Sequence, residues 1–180
     1  MSSKRTPDPR RVDIAAACAD SLSLSGHWPL GALDRLAEGD PASTADTSVD
    51  WAARFETRRV AGGPPERWLD LQASAQVRRE CQRCLRPVTL ALVVDRRLRF
   101  VDDEATAAAL DADSEDDVLV ASRQFDLQAL VEDELLLSMP LVPMHEACPD
   151  PLVRPVADEP AEAQAHPFAA LAALKRGTGH

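Results

Sequence analysis

The sequence predicts an α+β protein built on a twisted antiparallel β-meander, open or barrel-like, packed with a few helices. Apolar and polar residues alternate with a period of two in three stretches between Val49 and Phe100, and turn-forming residues separate those stretches. Two further stretches, after Trp28 and after Asp126, carry helical spacing with their own start and stop signals.

In chain order, residues 1–11 are basic and hold Pro7 and Pro9, which suits a flexible arm. A single domain is expected over residues 12–145. Val12 to Ser23 shows no decisive period, with Asp13 placed to cap a helix over the alanines that follow. Pro29 fits a first helical position, Leu30, Leu33 and Leu36 fall on one side, and Gly39 with Pro41 ends that helix. Val49, Trp51, Ala53 and Phe55 mark a strand with one wet face. Gly62-Gly63-Pro64-Pro65 turns the chain into a second strand marked by Leu69, Leu71, Ala73, Ala75 and Val77. After Cys81-Gln82-Arg83-Cys84 the alternation resumes at Val88, Leu90, Leu92, Val94, Leu98 and Phe100. Short connections make these consecutive strands antiparallel neighbours.

Residues 102–117 hold eight acids and no base, so self-repulsion predicts a solvated loop, and the spacing lacks the central glycine of a calcium loop. Val118-Leu119-Val120 adds a short strand. Asp126 caps a helix from Leu127 to Ser138 that Pro140 stops. Residues 146–165 form a proline-rich linker, and residues 166–177 a short C-terminal helix with an apolar stripe of Phe168, Leu171 and Leu174. Such a helix is too short to stand alone in water and must dock on its own domain or on a partner.

The 180 residues carry 20 bases against 30 acids, a net charge of −10 that argues against non-specific coating of nucleic acid. Any RNA contact is therefore local. No apolar run is long enough to span a bilayer and the start lacks a signal peptide's apolar stretch, so a cytoplasmic protein without membrane partners is expected. There is no P-loop, dinucleotide turn, GxSxG or HExxH, and the four histidines stand singly, so no enzyme is expected.

Three segments in order carry a resemblance: Glu80-Cys81-Gln82-Arg83-Cys84, the run from Asp126 through Glu132-Asp133-Glu134 to Pro143-Met144-His145, and His166-Pro167-Phe168 through Lys175-Arg176. The ordered set resembles the YceD family, the large ribosomal RNA subunit accumulation proteins. The resemblance implies a non-catalytic bacterial factor supporting synthesis, processing or stability of large-subunit ribosomal RNA. Its partner would be that RNA or a basic large-subunit ribosomal protein. The alternative is a small protein-interaction module, with or without a stabilising zinc, that makes no direct RNA contact.

Several residues are candidates for such contacts. Seven arginines (Arg78, Arg79, Arg83, Arg86, Arg96, Arg97 and Arg99) face only Glu80 and Asp95 in the same stretch. Arginine grips phosphate through paired donors and stacks on bases, so a sheet rim bearing them suits structured RNA. Equally, they could pair with the acidic stretch and keep a sheet edge soluble. On the helix from Leu127, steps of 100° put Leu127, Leu130, Val131, Leu135 and Leu137 on one face with Glu134 in its middle. Glu134 is expected to pair with Arg96 beneath it or to meet a partner's base. Glu132 and Asp133 read as a solvated face or a contact for a basic protein, and Phe168 and Leu171 as a docking stripe.

Cys81 and Cys84 have the spacing of half a zinc site, with His145 and Cys148 as a second pair. The second pair lies some 60 residues on and, in a simple meander, across the core. The expectation is therefore a packed turn with two unmetalled thiols and no cofactor, with zinc or a redox pair as alternatives.

Overall fold

The structure is a computed structural model that describes residues 7–39, 47–111 and 116–149. The expected C-terminal helix, with Phe168 and Leu171, and most of the expected linker lie outside the described residues. The element order is α1 (Ile14–Ala19), β1 (Ser23–Pro29), a 3-10 turn (Leu30–Ala32), α2 (Asp34–Ala37), β2 (Ser48–Arg58), β3 (Glu66–Glu80), β4 (Pro87–Val101), α3 (Glu104–Asp111), β5 (Asp117–Val120) and α4 (Leu127–Ser138). This is the α+β architecture that the patterning predicts.

The five strands form one sheet in sequence order. β1 to β4 are an antiparallel meander, whereas β5 runs parallel to β4. The sheet is mixed and does not close into a barrel, which corrects the barrel-like option. α3 supplies the crossover that a parallel pair requires, and it corrects the expected solvated loop over residues 102–117. Asp103 explains how a helix forms in so acidic a stretch: its carboxylate accepts from the Thr106 N–H at 2.9 Å and from the Thr106 hydroxyl at 2.8 Å. Those bonds hold its carboxyl below the usual range, and the charge sits at the favourable end of the helix.

The alternation read from the sequence fixes the two faces. Val49, Trp51, Ala53 and Phe55 on β2, Leu69, Leu71, Ala73, Ala75 and Val77 on β3, and Leu92, Val94, Leu98 and Phe100 on β4 are all buried on one face. Ile14, Leu30, Leu33, Leu36, Leu127, Val131 and Leu135 cover it from the helical side. Trp51 and Phe55 lie in the core, and Trp68, on the opposite face of β3, is buried beneath the guanidinium groups of Arg58 and Arg99 rather than open for base stacking. Trp51 stacks on Trp28, centroids 4.5 Å apart. Its indole lies over Gly26, where an added Cβ would come within 3.3 Å of it.

Three further expectations are corrected. Trp28 and Pro29 belong to β1, a strand that the ambiguous 12–23 region and the expected helix start concealed, and the Leu30 to Ala37 stretch is broken into a 3-10 turn and a single α-helical turn. Residues 9 and 10 of the expected arm are tied to the fold: the Leu127 N–H donates to Pro9 O at 2.9 Å and Arg10 Nε to Gln128 Oε1 at 2.5 Å. Leu137 is 74% exposed, because the buried arc of α4 is rotated toward Gln128 and Glu132, over which the Leu30–Ala37 segment packs.

Candidate functional site

The β3–β4 hairpin ends in a tight turn made by Cys81-Gln82-Arg83-Cys84-Leu85. Cys81 N–H donates to Arg86 O, and Leu85 N–H returns to Cys81 O, both at 2.8 Å. Leu85 sits at φ +58°, a left-handed conformation that a branched residue seldom adopts. After Pro140 stops α4, the chain bends at residues 141–142 and returns to this turn, where it is tied by the Gln82 N–H donating to Pro143 O at 2.9 Å.

That return brings Cys81, Cys84, His145 and Cys148 together, with one ligand atom from each lying within 4.8 Å of all the others. It corrects the expectation that the second pair lies across the core: the fold carries residues 140–148 back to the hairpin tip. Cys81 Sγ and Cys148 Sγ are 3.9 Å apart, and Cys84 Sγ lies 3.5 Å from His145 Nδ1. A tetrahedral zinc ion with bonds of about 2.3 Å to sulfur and about 2.0 Å to nitrogen places its ligand atoms roughly 3.5–3.8 Å apart. The donor set and its spacing fit zinc.

The surroundings fit as well. His145 Nε2 is 3.1 Å from the Pro87 carbonyl, which only accepts, so Nε2 donates there and Nδ1 is the ring nitrogen turned toward the thiols, where in the neutral ring its lone pair can bind a metal. Burial pushes the Cys81 thiol up, but backbone N–H groups of His145, Cys84 and Arg83 and the His145 side chain outweigh it and bring it to about 5. Burial and the neighbouring sulfurs push Cys84 up instead, as expected of thiols that crowd one another. Cys18, the remaining cysteine, is buried at α1, where it lies 3.8 Å from Trp68 O, away from this group.

The arginines divide between the two ends of the ribbon. Arg97 Nε donates to Asp70 at 3.0 Å, and Arg99 Nη2 to Glu66 at 2.8 Å while lying over the Trp68 ring. Arg96 Nε donates to Glu134 Oε2 at 3.1 Å and also approaches Asp117 at 3.8 Å. These charges are met by acids of β3, β5 and α4, and from the acidic stretch Asp117 approaches Arg96 and Asp116 acts on Arg97. Arg79 Nη2 donates to Leu36 O at 2.7 Å. Arg78, Arg83 and Arg86 are exposed around the tip. Arg83 also donates from Nε to Cys148 Sγ at 3.0 Å and from Nη2 to His145 O at 2.8 Å and Glu146 O at 3.3 Å.

The acids of α4 are mostly engaged inside the fold. Glu134 is 8% exposed, and Arg96 docks it to the sheet. Glu132, expected on a solvated face, is buried: Oε1 accepts from the backbone N–H groups of Arg35 at 2.8 Å and Leu36 at 3.1 Å, capping α2, and Oε2 takes the Arg35 side chain. Asp133 accepts from Arg35 Nη1 at 2.6 Å and stays half exposed. Sequence reasoning missed Pro87 and the ligand-facing role of Arg83. The position of Arg83 between two cysteines was the available signal.

A family model described as Large ribosomal RNA subunit accumulation protein YceD matches residues 69–175, a stretch that includes all four clustered residues. The protein of Haemophilus influenzae called Large ribosomal RNA subunit accumulation protein YceD is 29% identical over 173 residues, covering 93% of this chain and 96% of that protein. No solved structure matches the chain. Among the described residues, no helix is long and apolar enough to cross a membrane.

Proposed function

Because the chain belongs to the YceD family of large ribosomal RNA subunit accumulation proteins, we propose that it supports the synthesis, processing or stability of large-subunit ribosomal RNA in the cytoplasm, without catalysing a reaction. In this reading zinc held by Cys81, Cys84, His145 and Cys148 shapes the end of the molecule that meets the RNA. Four protein ligands leave no coordination position for water or substrate, so the ion serves structure.

The observation that supports this most is the convergence of four metal-ligating side chains at the ribbon end where Arg78, Arg83 and Arg86 are exposed. Arginines around a fixed turn can hold phosphates through paired donors, and a net charge of −10 keeps the rest of the surface from sticking to RNA unselectively. RNA is favoured over a basic ribosomal protein because Glu132 and Glu134 are already engaged within the fold, leaving Asp133 as the accessible acid of that trio.

Two measurements test the reading. Protein purified without added metal should carry one zinc per chain, and its absence would remove the metal from the account. Cells lacking the gene should hold less large-subunit than small-subunit ribosomal RNA. The doubly substituted Arg78→Glu, Arg86→Glu protein should restore them poorly while keeping its zinc. Full restoration by that variant would overturn the tip as the RNA-contacting end.

A further inference from the structure

The arginine inside the cysteine pair stands apart from the others at the tip. Arg83 Nε is 3.0 Å from Cys148 Sγ, and its Nη2 binds the carbonyls of His145 and Glu146. One side chain from the hairpin turn thereby touches the residue that supplies the third sulfur and holds the backbone between the third and fourth ligands. We propose that Arg83 is a positioning residue of the metal centre, which places Cys148 on the ion and offsets the charge of the third thiolate, rather than primarily a phosphate contact.

The argument is one of charge and of reach. Three thiolates and a neutral imidazole around a doubly charged ion leave one negative charge, and that complex stands at a half-buried turn. A guanidinium hydrogen-bonded to one sulfur neutralises the excess, and such outer partners commonly change metal affinity by about 10- to 100-fold. Cys81 and Cys84 are placed by the hairpin itself, and His145 by the Pro87 carbonyl. Cys148 lies furthest along the incoming segment, and Arg83 is the side chain that fixes it.

This inference rests on the metal reading of the same four residues, and cobalt substitution separates the two. The full-length chain, its Arg83→Gln variant and its Arg83→Lys variant are loaded with cobalt(II) alone. Affinity is read by competition with a chelator, and thiolate ligation by the intensity of the sulfur-to-cobalt charge-transfer band per bound ion. The original chain should show a tetrahedral, three-thiolate spectrum. Arg83→Gln should bind roughly 10- to 100-fold more weakly and lose about a third of the band per bound ion, as one sulfur of three drops out. Arg83→Lys, with a charge but no fork, should fall between them.

Unchanged band intensity per bound ion in Arg83→Gln would overturn the proposal even if affinity fell, since an arginine that merely braces the backbone leaves the ligand count intact. Failure of the unsubstituted chain to take up cobalt would remove the metal reading and this inference together.

Discussion

At the root of the β3–β4 ribbon, Arg97 and Arg99 lie against Asp70 and Glu66 of the neighbouring strand, above a core of Leu69, Leu71, Leu98 and Phe100. At its tip the core has run out: Leu85 is exposed, Leu141, Val142 and Met144 are exposed beside it, and what ties the chain together is a cluster of sulfur and nitrogen donors with Arg83 laced through it. A run of arginines that looks like one cationic strip in the sequence thus has two uses. The root is held by apolar burial and cross-strand pairs, and the tip gathers three cysteines and a histidine.

Removing a ligand should break this contrast most severely. Cys148→Ser should abolish stoichiometric zinc and collapse amide protection over residues 81–86 and 140–148, while the central stretches of β2, β3 and β4 keep theirs. Hydrogen exchange read by mass spectrometry checks this, and uniform loss of protection across the sheet would show that the two ends are not separate.

At the root, Glu134→Ala leaves Arg96 without its main partner and should cost about 2 kcal/mol in urea unfolding. That is less than the roughly 3–5 kcal/mol of a fully buried pair, because the Arg96 side chain is 50% exposed. Glu134→Leu should fold about as well as the original chain, since an apolar side chain suits its buried position. Equal losses for both would contradict the pairing account.

Acid should act on the tip in a fixed direction. The Cys81 thiol ordinarily titrates at 9.0 and is held at about 5 in the fold. Between those values the folded metal-free chain has released a proton that the unfolded chain retains. Its contribution to stability therefore rises with pH across that window, is complete above about 9, and disappears as pH falls through about 5. Comparing the pH dependence of unfolding for the metal-free chain and Cys81→Ser isolates it, and identical slopes would refute the shift. The smallest effect belongs to Arg97→Gln, which should cost less than about 1 kcal/mol because its pair with Asp70 is exposed to solvent.

What the sequence makes legible follows from how local each signal is. The strict alternation from Val49 to Phe55, Leu69 to Val77 and Val88 to Phe100 states both the strands and the face each buries, and Asp126 with Pro140 brackets α4. β1 is hidden because Ser23, Ser25, Gly26 and His27 leave only Leu24 and Trp28 to mark its core side. α3 is hidden because charge repulsion is read residue by residue, whereas one capping carboxylate, Asp103, decides it. Glu132 reads as solvated because its partners, the N–H groups of Arg35 and Leu36, come from a turn about a hundred residues earlier. The metal cluster is only half legible for the same reason: Cys81 and Cys84 state their own spacing, but nothing local says that the chain beyond Pro140 doubles back to them. The glutamate–arginine pair was within reach, since helical and strand periods place Glu134 and Arg96 on facing surfaces.

The most direct measurement is photocrosslinking in growing cells with the crosslinked positions mapped on both partners. The account predicts crosslinks from residues 78–86 and 141–148 to large-subunit ribosomal RNA, and their loss when Cys148 is substituted. Crosslinks to RNA from the open sheet face around Gln72 and Ser74, with none from the tip, would contradict it.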